Sequence, residues 1–233
     1  MYKIEDLLQN NKYPGRGIIL GNSKDGKHAV AIYFIMGRSE NSRNRIFALE
    51  DDGISTKAFD ESKVIDPSLI IYHPVREYND YLIVTNGDQT DTILDGLKNN
   101  KLMQDSLLTR EFEPDEPNFT PRISGLLKND GTYELSILKS IDDKGSDCLR
   151  FYYEYPCFNG LGHFIHTYEK DGSPLQSFIG EPREVEIDND INDVTDLVWN
   201  SLNEENKISL YVCFINKDNN EKTVRIINKN KGE

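Results

Sequence analysis

The chain has 233 residues and a formal charge of -13, from 27 Lys and Arg set against 40 Asp and Glu. That balance argues against a general nucleic-acid binder, whose surface must be basic to displace counterions. It leaves room for one small anionic ligand in a local arginine pocket, and twelve Tyr and ten Phe provide the bulk for a packed core rather than a disordered chain.

Taken in chain order, residues 2–11 place Ile4, Leu7 and Leu8 on one helical face, and Tyr13-Pro14-Gly15 ends that helix in a turn. "GRGIILG" (15–21) and "AVAIYFIM" (29–36) flank the turn signature "SKDGKH" and read as a hairpin. The second strand is apolar throughout, as expected of a strand covered on both faces. Further strands are expected at 45–50, 69–72 and 81–86, followed by a change to helical period at 87–100 through Ile93, Leu94 and Leu97. "EPDEPNFTP" (113–121) holds three prolines in nine residues and must be irregular. Strands follow at 132–138, 148–154 and 163–169. A helix over 191–203 has Asp188, Asp190 and Asp193 near its N-terminus, where the macrodipole favours acids. Strands at 208–216 and 222–228 close the chain. Strands outnumber helices and the helices are scattered, which predicts a single α+β domain spanning 1–233: antiparallel sheets packed together with helices outside.

Cys148, Cys157 and Cys213 are odd in number and lack CxxC spacing, so free thiols in a reducing compartment are expected. The opening residues carry early acids and no long apolar run, so no secretory signal is expected, and no stretch approaches the ~20 apolar residues of a membrane helix. A cytoplasmic location is the resulting expectation.

Four polar clusters lie beside strands. Arg16 stands in "PGRG" between glycines that permit close approach of backbone; taken alone it reads more readily as a surface turn arginine. "MGRSENSRNR" places Arg38, Arg43 and Arg45 within eight positions, with Ser39, Asn41 and Asn44 among them, in a chain of only ten arginines. Guanidinium forks with neutral donors beside them suit an oxyanion; a solvated loop is the plainer reading, but it does not need three arginines with so few acids among them, and an anion site is the reading favoured. "TNGDQTD" (85–91), with Asn86 and Asp88, turns from strand to helix and offers backbone N–H groups to a ligand, or simply caps the helix. "DEPNFTPRISG" holds Glu116, Asn118, Thr120 and Arg122 on a proline-stiffened loop. Tyr72, beside His73 after an apolar run, is a candidate acid or base. His163 and His166 are three apart on a strand and face opposite ways, so no shared metal is expected.

"YPGRGIILG", "YFIMGRSENSRNR", "TNGDQTDTI" and "EPDEPNFTPRISG" together resemble the motifs of the archaeal-type IMP cyclohydrolases, strongly over residues 13–125 and more diffusely beyond. The resemblance implies a four-layer αββα fold like that of N-terminal nucleophile hydrolases. Gly15 stands where those enzymes expose Ser, Thr or Cys, which argues against an unrelated amidohydrolase on the same fold. It implies closure of the formamido imidazole carboxamide ribotide to IMP with loss of water, with a purine ribonucleotide as the small-molecule partner and no metal or other cofactor. A homo-oligomer is left open. On these terms Arg16, Arg38, Arg43 and Arg45 become candidates for phosphate and oxyanion contacts. Ser39, Asn41 and Asn44 would add neutral hydrogen bonds, and Asn86 and Asp88 would read the ribose or base. Tyr72 and then Glu116 are proton-transfer candidates, and Thr120 and Arg122 would close over the ligand. The alternative is a purine-nucleotide-binding or regulatory protein that keeps the pocket and has lost the reaction.

Overall fold

The computed structural model describes residues 1–64 and 71–231. Thirteen strands and five α-helices are described. The first sheet contains β1 (Arg16–Asn22), β2 (His28–Met36), β10 (Leu161–His166), β11 (Arg183–Glu186), β12 (Lys207–Asn216) and β13 (Lys222–Asn228), in the order β11-β10-β1-β2-β12-β13. The second runs in sequence order through β3 (Arg45–Glu50), β4 (Gly53–Ala58), β5 (Val75–Tyr78), β6 (Tyr81–Thr85), β7 (Arg122–Lys128), β8 (Tyr133–Ser140) and β9 (Cys148–Tyr155). Every pairing between these strands is antiparallel.

The all-apolar β2 shows why the layers stack as they do. Ala29, Ala31, Tyr33 and Ile35 enter the core between the two sheets with Ile18 and Leu20 of β1 and Ile54, Val84 and Ile123 of the second sheet. Val30, Ile32, Phe34 and Met36 point the other way, into a core closed by α1 (Ile4–Asn10) and α5 (Ile191–Ser201) through Ile4, Leu8, Val194 and Val198. With a side-chain period of two, a strand between two layers must be apolar at every position. On the far side of the second sheet, Ile83, Leu126 and Leu138 meet Ile93, Leu94, Met103 and Leu107 of α3 (Gln89–Lys98) and α4 (Met103–Leu107). The order is helices, sheet, sheet, helices, the α+β sandwich expected. Each fully buried aliphatic or aromatic side chain contributes about 1.5–3 kcal/mol, so the three cores together carry the fold.

Asp190 caps α5 by accepting from the amides of Asn192 and Asp193, at 2.7 and 3.1 Å. Several elements depart from the sequence expectation. Residues 40–43 form the short helix α2 (Glu40–Arg43) inside the stretch read as a polar loop. Strands β4, β5, β7 and β11 were not anticipated; β4, "GISTKA", and β11, "REVE", are too short and too polar to show a two-residue period. Of the strand expected at 69–72, residues 69 and 70 lie outside the described residues, and Ile71 and Tyr72 are in no strand. Tyr72 instead exchanges backbone and hydroxyl hydrogen bonds with Thr56. β10 stops at His166, three residues short of the expected end, and Tyr168 makes only an isolated bridge to Ser177.

Candidate functional site

Residues of the four polar clusters come together at one end of the sandwich. Gly15, at φ 77°, turns the chain into β1; a Cβ there would lie 2.2 Å from the Thr167 hydroxyl and 2.6 Å from the Tyr168 ring, so only glycine fits. Arg16 follows at the strand start, opposite Ile35 of β2, on the face whose next residues, Ile18 and Leu20, enter the inter-sheet core. Its Nε is buried without a hydrogen-bond partner. Burial works against its charge, but Glu113 foremost, with Tyr168, Tyr72 and Tyr13 nearby, holds the pKa above its ordinary value.

Beyond β2, Gly37 leaves the strand and Ser39 caps α2 in a reciprocal pair with Ser42, both bonds at 3.1 Å. The three arginines of this stretch then part company. Arg45 alone turns inward: it is buried, its Nε donates to Ser42 O at 2.7 Å and its guanidinium approaches Met36 O. Burial and the neighbouring Arg16 lower its pKa. Arg43 is exposed and braces the turn through Gly37 O, 3.1 Å, and Asn206 Oδ1, 3.3 Å. Arg38 lies outside the buried group, paired with Asp171 at 2.8 Å and set over the Tyr13 ring at 4.9 Å, while Tyr13 stacks with Tyr168. Asn44 exchanges two 2.8 Å bonds with the Asp60 backbone and fastens the end of the turn. The Asn41 Oδ1 is buried and unpartnered.

Tyr72 is buried and shares a 3.0 Å hydroxyl contact with Tyr33, whose phenol burial pushes well above its ordinary range. From the second sheet comes the loop between α4 and β7. Glu113 is held there by its own amide, which donates to Thr120 O at 2.8 Å. Burial raises the Glu113 pKa in spite of the cationic Arg16, Arg122 and Arg45. Thr120 is buried, and its hydroxyl lies between Asp115 and the Tyr168 phenol. Glu116 is exposed, three residues beyond Glu113.

Asn86, Asp88 and Arg122 lie at the head of α3, beside Glu113: a Cβ on Gly87 would lie 2.7 Å from an Arg122 guanidinium nitrogen and 3.6 Å from Glu113 Oε1. Asn86 is fully engaged: Nδ2 donates to Pro121 O, and Oδ1 accepts from Gln89 and the Ile123 amide. Asp88 is exposed and clamped between Arg110 and Arg122, whose cations hold its pKa below the ordinary value against a partial loss of solvent. Arg122 also reaches Gln89 at 2.8 Å.

The structure therefore gathers Arg16, Arg45, Tyr72 and Thr120 into one group. It sets Ser39, Asn44 and Arg43 to building the turn, and Asn86 to building the floor. It adds Tyr13, Tyr33, Glu113 and Tyr168, which sequence reasoning passed over. Tyr33 had a legible signal, a hydroxyl inside the otherwise apolar run "AVAIYFIM". Glu113 had none, because "EPDEP" offers three acids and only the fold tells them apart. Chemically the group combines a fixed cation, a carboxyl of raised proton affinity and several neutral phenols, partly shielded from water. Such a set can hold an oxyanion and move a proton beside it.

Fold and site together define a two-sheet α+β protein with an internal arginine–tyrosine–carboxylate centre. The chain belongs to the IMP cyclohydrolase-like protein family, whose profile matches residues 13–220. It is similar to the IMP cyclohydrolase of Methanococcus aeolicus, 28% identical over 161 residues, covering 67% of this chain and 74% of that protein. It is also similar to that of Methanosphaera stadtmanae, 32% identical over 130 residues and covering 54% and 63%. Against the Methanococcus maripaludis enzyme (strain C7) it is 34% identical over 126 residues, covering 52% and 61%. In the latter two the match spans less than two thirds of the relative's own length. Among the described residues no helix is long and apolar enough to cross a membrane.

Proposed function

We propose that the chain is an IMP cyclohydrolase, closing the formamido imidazole carboxamide ribotide to IMP. The observation that carries this reading is Glu113, a carboxyl of raised proton affinity facing the partly unpartnered Arg16, at the point where the family motifs converge. In the reaction the carboxamide nitrogen attacks the formyl carbon, forming a C–N bond. The formyl oxygen leaves as water, taking one proton from the carboxamide and one from the formamido nitrogen. Glu113 takes the carboxamide proton as nitrogen attacks. Arg16 stabilises the charge that gathers on the formyl oxygen, and the coupled Tyr72–Tyr33 hydroxyls supply a proton to it. Arg45 contributes a second cation at the base of the group. Holding nucleophile and electrophile in contact accounts for much of the rate in such an intramolecular closure.

The test is direct. Purified protein is mixed with the formamido ribotide and ring closure is followed by its ultraviolet change. Turnover that saturates with substrate supports the reading. Tight IMP binding without turnover refutes it in favour of a nucleotide-binding protein.

A further inference from the structure

The loop from Glu113 to Thr120 contains a hydrogen-bond arrangement whose direction is fixed by counting protons. Asp115 accepts twice from Thr120: the amide donates to Oδ1 at 2.6 Å and the hydroxyl to Oδ2 at 2.5 Å. Two converging donors favour the ionised carboxylate, and a charged acceptor outcompetes a neutral one for the hydroxyl hydrogen. A threonine hydroxyl has only one hydrogen. The Tyr168 oxygen, 2.6 Å from Thr120 Oγ1, must therefore be the donor in that contact. The phenol hydrogen is thereby turned away from Arg16, and what Tyr168 presents to the site is an acceptor lone pair. Burial, the first of several influences, raises the Tyr168 pKa to about 12, so the phenol keeps that hydrogen near neutral pH. Stacking on Tyr13 at 5.8 Å fixes the ring plane.

We infer that Asp115 is a positioning residue which, through Thr120, holds Tyr168 as a hydrogen-bond acceptor for an N–H of the substrate beside Arg16. The same loop seats Glu113, whose amide donates to Thr120 O. One carboxylate thus orders an acceptor and a base that face a common nucleophile. The inference rests on the cyclohydrolase reading for the identity of that N–H.

Asp115→Asn reverses the chain. If the amide nitrogen donates to Thr120 Oγ1, the Thr120 hydroxyl turns to donate to Tyr168, and the phenol hydrogen swings into the site. The expected result is kcat lowered roughly ten- to hundredfold, with KM changed much less and the thermal midpoint retained within a few degrees. Thr120→Val should lose turnover similarly, and Thr120→Ser should restore most of that loss. Asp115→Asn combined with Tyr168→Phe should be no slower than Tyr168→Phe alone, because both changes remove the same acceptor. Multiplying losses in the double variant, or full turnover in Asp115→Asn, would overturn the inference. A second readout needs neither substrate nor activity. The Tyr168 ring-carbon resonance next to the hydroxyl, assigned by its absence in Tyr168→Phe, should move in Asp115→Asn and stay in Thr120→Ser. An unmoved resonance in Asp115→Asn overturns the relay whatever the unaltered protein does with the ribotide. Absence of turnover in the unaltered protein refutes only the cyclohydrolase reading.

Discussion

Replacing Glu113 by Gln keeps the side-chain volume and removes the proton-binding group, and its two consequences run in opposite directions. If the carboxylate accepts the carboxamide proton, turnover should fall about 10²- to 10⁴-fold, the usual contribution of a positioned base. That corresponds to about 3–5 kcal/mol on the barrier. Stability should behave otherwise. Burial raises the Glu113 pKa above 4.5 even though Arg16, Arg122 and Arg45 oppose the rise. The folded protein therefore holds this proton more tightly than the unfolded chain. The corresponding stabilisation is fully present below pH 4.5 and is lost as pH rises through the raised folded value. Above that value the buried carboxylate is a net cost, which the neutral amide avoids. Loss of the charge opposite Arg16 trims this gain. Glu113→Gln should accordingly be nearly inactive, match the parent's stability in acid and lose less of it towards neutral pH. In the parent, kcat/KM should rise with pH through the Glu113 value. Steady-state kinetics and thermal unfolding, each over a pH series, read both effects. A loss of turnover under about tenfold, or an unaltered pH slope of stability in the variant, would refute the reasoning.

Arg16→Ala and Arg43→Ala should separate the two roles held by the family's arginines. Removing Arg16 should abolish turnover and weaken IMP binding at least tenfold, as expected for a charge-assisted contact, whereas Arg43→Ala, which loosens an exposed turn, should change kcat/KM only a few fold; calorimetric titration with IMP checks both. Asn86→Ala leaves the Ile123 amide and the Pro121 carbonyl without their partners and should cost roughly 3 kcal/mol in denaturant unfolding. Gly15→Ser sets a Cβ against Thr167 and Tyr168 at a positive φ and should destabilise by about 1–3 kcal/mol while lowering turnover through the displaced Tyr168. A Gly15→Ser protein as stable as its parent would contradict the packing described.

How far the sequence reaches differs between fold and site. The two-sided apolar strand 29–36, the helical period of 191–203 and the glycine-bounded 15–21 are local patterns, and local patterns survive reading in one dimension. β4 and β11 do not, because their short, polar sequences become strands only by pairing with neighbours. Of the residues the motifs singled out, the fold brings Arg16, Arg45, Tyr72 and Thr120 together at one end of the sandwich.

The amino-acid sequence by itself determined the class of fold, through hydrophobic period, and marked candidate segments through their unusual density of Arg, Asn and Ser. Only the tertiary structure decided which side chains face one another. "GRSENSRNR" contains three arginines of identical chemistry; α2 rotates Arg45 inward and leaves Arg38 and Arg43 outside. "EPDEP" contains three acids; the closure of the loop on Thr120 leaves Glu113 half-buried, gives Asp115 to Thr120 and exposes Glu116. Burial and neighbouring charge set proton affinity, and both are properties of the packed chain rather than of residue type.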